Sequence, residues 1–174
     1  MRSRRERRHR GAAALTLAIA VFGILATSAS ATPSRRLVWN ASASAPIGLY
    51  WRVTGRPERG DLVLAWAPLL ARRLADQRHY LPLSVPLLKR VAATSGDVIC
   101  ATARDVIING DAVAQRLDSD ALGRALPRWT GCRKLGAGEF LLLMADVPDS
   151  FDGRYFGVTE RQEIIGRLVP LWTR

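Results

Sequence analysis

The chain carries 24 arginines but only two lysines, and one of these, Lys89, stands inside the apolar run Leu81-Pro-Leu-Ser-Val-Pro-Leu-Leu-Lys-Arg-Val-Ala-Ala93. A guanidinium stays protonated at any pH a protein meets, whereas an ammonium drawn out of water loses its proton near neutrality and then serves as a base. Lysine at an apolar position, in a chain that writes nearly every other cation as arginine, is therefore a candidate general base. A strand over residues 85–93 would put Leu87, Lys89, Val91 and Ala93 on one face and Leu88, Arg90 and Ala92 on the other. Lys89 then points with the buried set. The competing reading is a structural lysine whose stem packs on the sheet while its head reaches water.

A base needs a partner, and the histidines do not supply one. His9 lies in the basic N-terminal stretch and His79 in an Arg-rich stretch expected at the surface, which argues against a Ser-His-Asp triad, a Cys-His pair and a metal site. What remains is a serine paired with a lysine, and lysine serves there only when neutral. Ser44 is the candidate nucleophile. Pro46 and Gly48 shape the backbone after it, and Ala43 and Ala45 leave room for a substrate chain. On spacing alone this signal is weak, and an ordinary turn serine is the simpler reading.

These residues must be positioned by a small chain. Its 174 residues suit one globular domain plus a short accessory segment. Residues 1–10 hold six arginines and one glutamate, so they supply +5 of the formal +11. Residues 11–31 contain no charge, about the ~20 residues that span a bilayer. Arginines ahead of this segment hold the N-terminus in the cytoplasm and send the rest across. The division expected is a cytoplasmic basic tail at 1–10, a transmembrane anchor or signal segment at 11–31 and an exported domain at 32–174. Ala29-Ser30-Ala31 also fits a signal-peptide cleavage site, and either outcome exports the domain. The basic balance does not indicate nucleic-acid binding, because its densest cluster is explained by topology and no nucleic-acid module follows. Export places Cys100 and Cys132 in an oxidising compartment, where they form either a disulfide or two free core cysteines.

Along the exported part the pattern is mostly β. Strands are expected at 60–65 after a turn, around Lys89, at 98–101, at 138–144 and at 163–171, with Asn109-Gly110 as a hairpin turn. Residues 68–78 suit a short helix with Pro68 in its first turn, and 81–86 is irregular because of its two prolines. Residues 115–136 show little periodicity and read as an excursion, and 146–157 reads as a polar loop. Trp39 suits a membrane interface.

Four segments in order, Asn40-Ala-Ser-Ala-Ser-Ala-Pro-Ile-Gly-Leu-Tyr-Trp51, Gly60-Asp-Leu-Val63, Lys89-Arg-Val-Ala-Ala-Thr-Ser-Gly-Asp97 and Ser150-Phe-Asp-Gly-Arg-Tyr-Phe-Gly157, resemble the serine-lysine signal peptidases. The likeness is greatest to the TraF type that processes pilin precursors in conjugative transfer. Ala45 alone separates Ser44 from Pro46, where the general secretory enzymes have two residues, and this spacing matches the TraF type.

The resemblance implies a signal-peptidase-like β domain preceded by one N-terminal transmembrane helix. It makes Ser44 the nucleophile and Lys89 its general base, with no cofactor. Ser42 would help hold the oxyanion, Ser150 would orient the lysine, and Asp152 and Arg154 would form a supporting ion pair. It implies a single-pass protein of the bacterial inner membrane with a periplasmic catalytic domain. Its partners would be a propilin-like precursor and components of a conjugation or type IV secretion apparatus. From Ala31 to Ser44 is 13 residues, at most about 43 Å of extended chain, so a retained anchor keeps the site near the membrane. An extended substrate would pair with a strand edge near Lys89. Two rivals are a general signal peptidase and a catalytically silent periplasmic assembly or binding protein.

Overall fold

A computed structural model describes residues 36–174; the anchor expected at 11–31 lies outside them. Among the described residues no helix is long and apolar enough to cross a membrane. Two antiparallel sheets share the chain. The first is ordered β1 (Leu37–Asn40), β2 (Gly48–Val53), β11 (Ile164–Thr173), β3 (Leu62–Ala65), β4 (Leu87–Ala93), β9 (Glu139–Leu143), β10 (Val158–Glu160). The second is ordered β7 (Asp111–Gln115), β6 (Asp105–Ile108), β5 (Val98–Ala101), β8 (Gly131–Lys134). Helix α1 (Leu69–Gln77) links β3 to β4, and a single turn, α2 (Gly153–Phe156), precedes β10.

The strand around Lys89 has the face expected of it. In β4, Lys89, Val91 and Ala93 are buried and Arg90 is exposed, and Val91 joins Val63, Ala65 and Leu142 in one apolar cluster. The other face carries Leu88 against Leu64, Tyr50 and Met144. Ile99, Val106 and Ile108 of the second sheet pack on Leu141 and Leu143 of β9, so both sheets grip the strand beside β4. Each such fully buried aliphatic side chain contributes about 2 kcal/mol. At Asn109 and Gly110 φ is 53° and 98°, the paired positive values that a two-residue hairpin loop demands.

Three stretches differ from the sequence reading. The excursion at 115–136 contains β8, whose four residues are all exposed, so no apolar alternation marks it. What holds it is pairing with β5, where Cys100 lies directly opposite Cys132 and the two form a disulfide with Cα atoms 4.0 Å apart. The polar loop at 146–157 folds inward: Ser150, Asp152, Gly153, Arg154 and Tyr155 are buried. Residues 37–53, where no strand is expected from the sequence, form the β1–β2 hairpin, whose four cross-strand pairs run from Leu37 opposite Trp51 to Asn40 opposite Gly48. Gly48 lets β11 close on the hairpin base, because a Cβ there would lie 2.1 Å from the Trp172 carbonyl oxygen.

The disulfide closes a loop spanning 32 positions, which by chain entropy stabilises the fold by about 3–4 kcal/mol. Cys132→Ser is expected to lower the unfolding free energy by about that amount in urea titration. Dithiothreitol should lower the wild-type midpoint and leave the variant's unchanged.

Candidate active site

The β1–β2 hairpin loop, the middle of β4 and the loop after β9 converge on Lys89. Its Nζ donates to Ser44 Oγ at 3.0 Å and to Ser150 Oγ at 2.8 Å. The side chain is 2% exposed, and burial pulls its pKa from the ordinary 10.5 down to about 8, with Asp152 opposing, Arg154 reinforcing and Asp149 opposing. In the neutral form the nitrogen offers one lone pair and two N–H donors, so it accepts the Ser44 hydroxyl proton while donating to Ser150. Ser44 is half-buried. Ser42 Oγ lies 3.0 Å from Ser44 Oγ and accepts from the Ser44 backbone N–H at 3.4 Å, so hydroxyl and amide sit together beside Ser44 Oγ.

Asp152 and Arg154 are both fully buried and touch neither Ser44 nor Lys89 by a hydrogen bond. Arg154 Nε donates to Asp152 Oδ1 at 2.8 Å and Nη2 to Oδ2 at 3.1 Å. Its remaining donors reach the carbonyls of Gln115, Pro148 and Met144 at 3.1, 3.0 and 2.7 Å, so all five N–H groups are satisfied. Asp152 also accepts from the backbone N–H of Met144 and Arg154. A Cβ on Gly153 would sit 2.7 Å from the Leu142 carbonyl oxygen, so only glycine lets this turn press on β9. Every site residue expected from the sequence is thus placed: Ser42, Ser44, Lys89 and Ser150 in direct contact, the ion pair one layer behind, and Cys100–Cys132 away in the second sheet.

A cavity of about 410 Å³ opens over Ser44 and Lys89. Its far wall comes from the excursion: Leu117 and Leu126 line it, and Asp120 joins it to Tyr80 and Arg124. Burial pushes the Asp120 carboxyl up, but hydrogen bonds from Tyr80 and Arg124 outweigh it and hold it well below the usual carboxylate range. Although β4 is an interior strand, its pairing with β9 begins only at Arg90 opposite Leu143. The backbone of Leu87–Lys89 is therefore open on that side.

Two parts of the site escaped the sequence reading. The wall around Asp120 gave no periodic signal, and its cue is the pairing of an acid with Arg124 four residues on. Asn40 was noted only as the start of a motif, yet its carboxamide touches four backbone groups of the Ser44 loop.

The family model for signal peptidases, peptidase S26, matches residues 8–172. The chain belongs to the peptidase S26 family. It is 36% identical over 145 residues to the plasmid transfer protein TraF of Escherichia coli, covering 77% of this chain and 81% of that protein. It is 33% identical over 146 residues to the conjugal transfer protein TraF of Agrobacterium fabrum, with the same coverage. To signal peptidase I of Leptolyngbya laminosa it is 30% identical over 113 residues, 65% of this chain and 51% of that protein. Membership of this peptidase family implies a serine peptidase.

Keeping Lys89 out of water costs this signal-peptidase chain stability. Its folded pKa lies below the unfolded one, so the unfolded state binds more protons between about pH 8 and pH 10.5. The penalty is full below that window and vanishes above it. Lys89→Met should therefore melt higher than wild type at about pH 7, by an equivalent of up to about 3 kcal/mol, and the gap should close as pH rises toward about 10.5. Thermal melts across that range measure it.

Proposed function

We propose that the chain is a membrane-anchored serine endopeptidase, with Ser44 as nucleophile and Lys89 as general base, that processes an exported pilin precursor during conjugative transfer. The observation that carries the chemistry is the 3.0 Å approach of Lys89 Nζ to Ser44 Oγ at a lysine 2% exposed. Neutral Lys89 takes the hydroxyl proton as Ser44 Oγ attacks the scissile carbonyl. Ser150 keeps the amine aimed during the transfer. Charge on the carbonyl oxygen is met by the Ser42 hydroxyl and the Ser44 N–H. The lysine ammonium then protonates the leaving amine, an acyl-enzyme remains, and a water deprotonated by Lys89 releases it. The open backbone of Leu87–Lys89 suits an extended substrate that adds as a strand. The conjugative setting is supported by the TraF relatives; a general signal peptidase would instead process ordinary secreted precursors.

Membrane attachment is supported by the uncharged segment 11–31 and by one face of the β1–β2–β11 ribbon. Cross-strand register lines up Leu37, Trp51 and Val169 in one row and Trp39, Leu49 and Trp172 in the next. All but Leu49 are exposed, and the rings of Trp39 and Trp172 stack at 6.1 Å. The second row adjoins the loop that carries Ser44, so a lipid surface against this face brings the nucleophile to the level where a membrane-held precursor emerges.

Ser44→Ala and Lys89→Arg should each abolish processing of a co-expressed propilin on a gel, because arginine keeps the charge but supplies no neutral base. Retained processing by Lys89→Arg would sink the dyad. In the purified enzyme kcat/KM should rise with pH through a limb at about 8, the neutral fraction growing from about one-tenth at pH 7 to about nine-tenths at pH 9. In vesicles of bromine-labelled lipid, the fluorescence of the full chain should be quenched, and Trp39→Phe with Trp172→Phe should remove a large share of that quenching.

A further inference from the structure

The geometry points to Asn40 as the positioning residue of the oxyanion-binding loop: its carboxamide holds residues 42–46 so that the Ser42 hydroxyl and the Ser44 N–H stay together beside Ser44 Oγ. The inference rests on the serine peptidase reading. Asn40 ends β1 and is 7% exposed. Its two Nδ2 N–H groups are shared among the carbonyls of Ser42, Ala45 and Pro46 at 3.0, 3.1 and 3.0 Å, and its Oδ1 accepts from the Ser42 N–H at 3.1 Å. The loop has little else of its own. Pro46 brings no N–H, and the internal backbone bond from Ala45 to Ser42 is long at 3.4 Å. The Tyr50 hydroxyl adds a tether to the Pro46 carbonyl at 2.6 Å. With a single residue between Ser44 and Pro46, the chain must turn sharply through the nucleophile, and one buried amide fixes that turn from inside.

The two oxyanion donors belong to residues 42 and 44 of the same loop, so a shift of the loop misaims both, and a displacement of about 1 Å costs about a hundredfold in rate. Asn40 touches neither Lys89 nor Ser150 by a hydrogen bond, so its loss should leave the lysine's titration in place.

The test uses the full-length protein in detergent, a fluorogenic peptide spanning the precursor's cleavage site, and the variants Asn40→Ala, Asn40→Asp, Ser42→Ala and the double variant Asn40→Ala with Ser42→Ala. Asn40→Ala should lower kcat about a hundredfold and change KM by less than about threefold, with the pH limb unmoved. Asn40→Asp keeps the acceptor for Ser42 but turns an oxygen toward three carbonyls, and should lose as much. In the Ser42→Ala background the further loss from Asn40→Ala should shrink below about tenfold, since both act through one loop. Losses that multiply in full, an unchanged kcat or a displaced pH limb would overturn the assignment. Should Asn40→Ala show no cooperative melt, Asn40→Ser retains one donor and should fold with about a tenfold lower kcat; wild-type kcat in that variant counts against the proposal. Activity retained by Ser44→Ala would fail the peptidase reading itself; a dead Ser44→Ala beside a fully active Asn40→Ala would fail only the role of Asn40.

Discussion

A lysine whose pKa is held down to about 8 must be out of water and out of contact with any carboxylate, and Lys89 meets both conditions. Burial alone favours the neutral amine, but a carboxylate in contact would restore the ammonium. The acid with the largest effect, Asp152, raises the Lys89 pKa, Arg154 lowers it, and Asp149 raises it by less. Because Arg154 lies directly on Asp152, much of the acid's field is cancelled at the lysine. The hydrogen-bonding neighbours left to Nζ are two hydroxyls, which accept and donate without carrying charge. The buried pair is expensive to break, on the order of 3–5 kcal/mol when one partner is removed. It therefore holds the Ser150 loop firmly while offsetting much of its own acid's pull on the amine.

The sheet supplies the distances. Ser44 and Lys89 are 45 positions apart, and Lys89 and Ser150 are 61. Nothing local brings them together. β4 lies between β3 and β9, so Lys89 projects from an interior strand held by β3 on one side, while Ser150 hangs from the loop that leaves β9 where its pairing with β4 stops. The strands' divergence past Arg90 and Leu143 opens the cavity over the amine and leaves backbone unpaired beside it. Rigidity at the lysine and access for an extended chain thus arise at one point of one strand.

What the amino-acid pattern conveyed follows from what alternation encodes. Lys89 was legible because β4 is half of a buried sheet, so its neighbours at two-residue spacing are apolar. Asn109-Gly110 was legible because few residue pairs adopt positive φ. β8 was not, since Gly131–Lys134 is exposed throughout and is held by backbone pairing and a disulfide, of which only the cysteines leave a mark. The loop at 146–157 looked polar because its polar groups are needed inside: Asp152 and Arg154 satisfy each other and the backbone around them, so their burial leaves no apolar trace. The ordered motifs named Ser42, Ser150, Asp152 and Arg154 and set the last two apart as a supporting pair, but not the backbone carbonyls that Arg154 gathers around it.

Asn40 and Arg154 solve the same problem in two places. Both irregular loops at Lys89 contain a proline, Pro46 in one and Pro148 in the other, and neither loop pairs as a strand. Their carbonyls still need donors, because unpaired buried backbone groups cost about 1–3 kcal/mol each. Asn40 gathers the carbonyls of Ser42, Ala45 and Pro46, and Arg154 gathers those of Met144, Pro148 and Gln115. A buried side chain that binds several carbonyls at once does for an irregular loop what a neighbouring strand does for a regular one, and it leaves the edge toward the substrate unoccupied. Ladder pairing in either place would have filled the cavity that opens over Ser44 and Lys89.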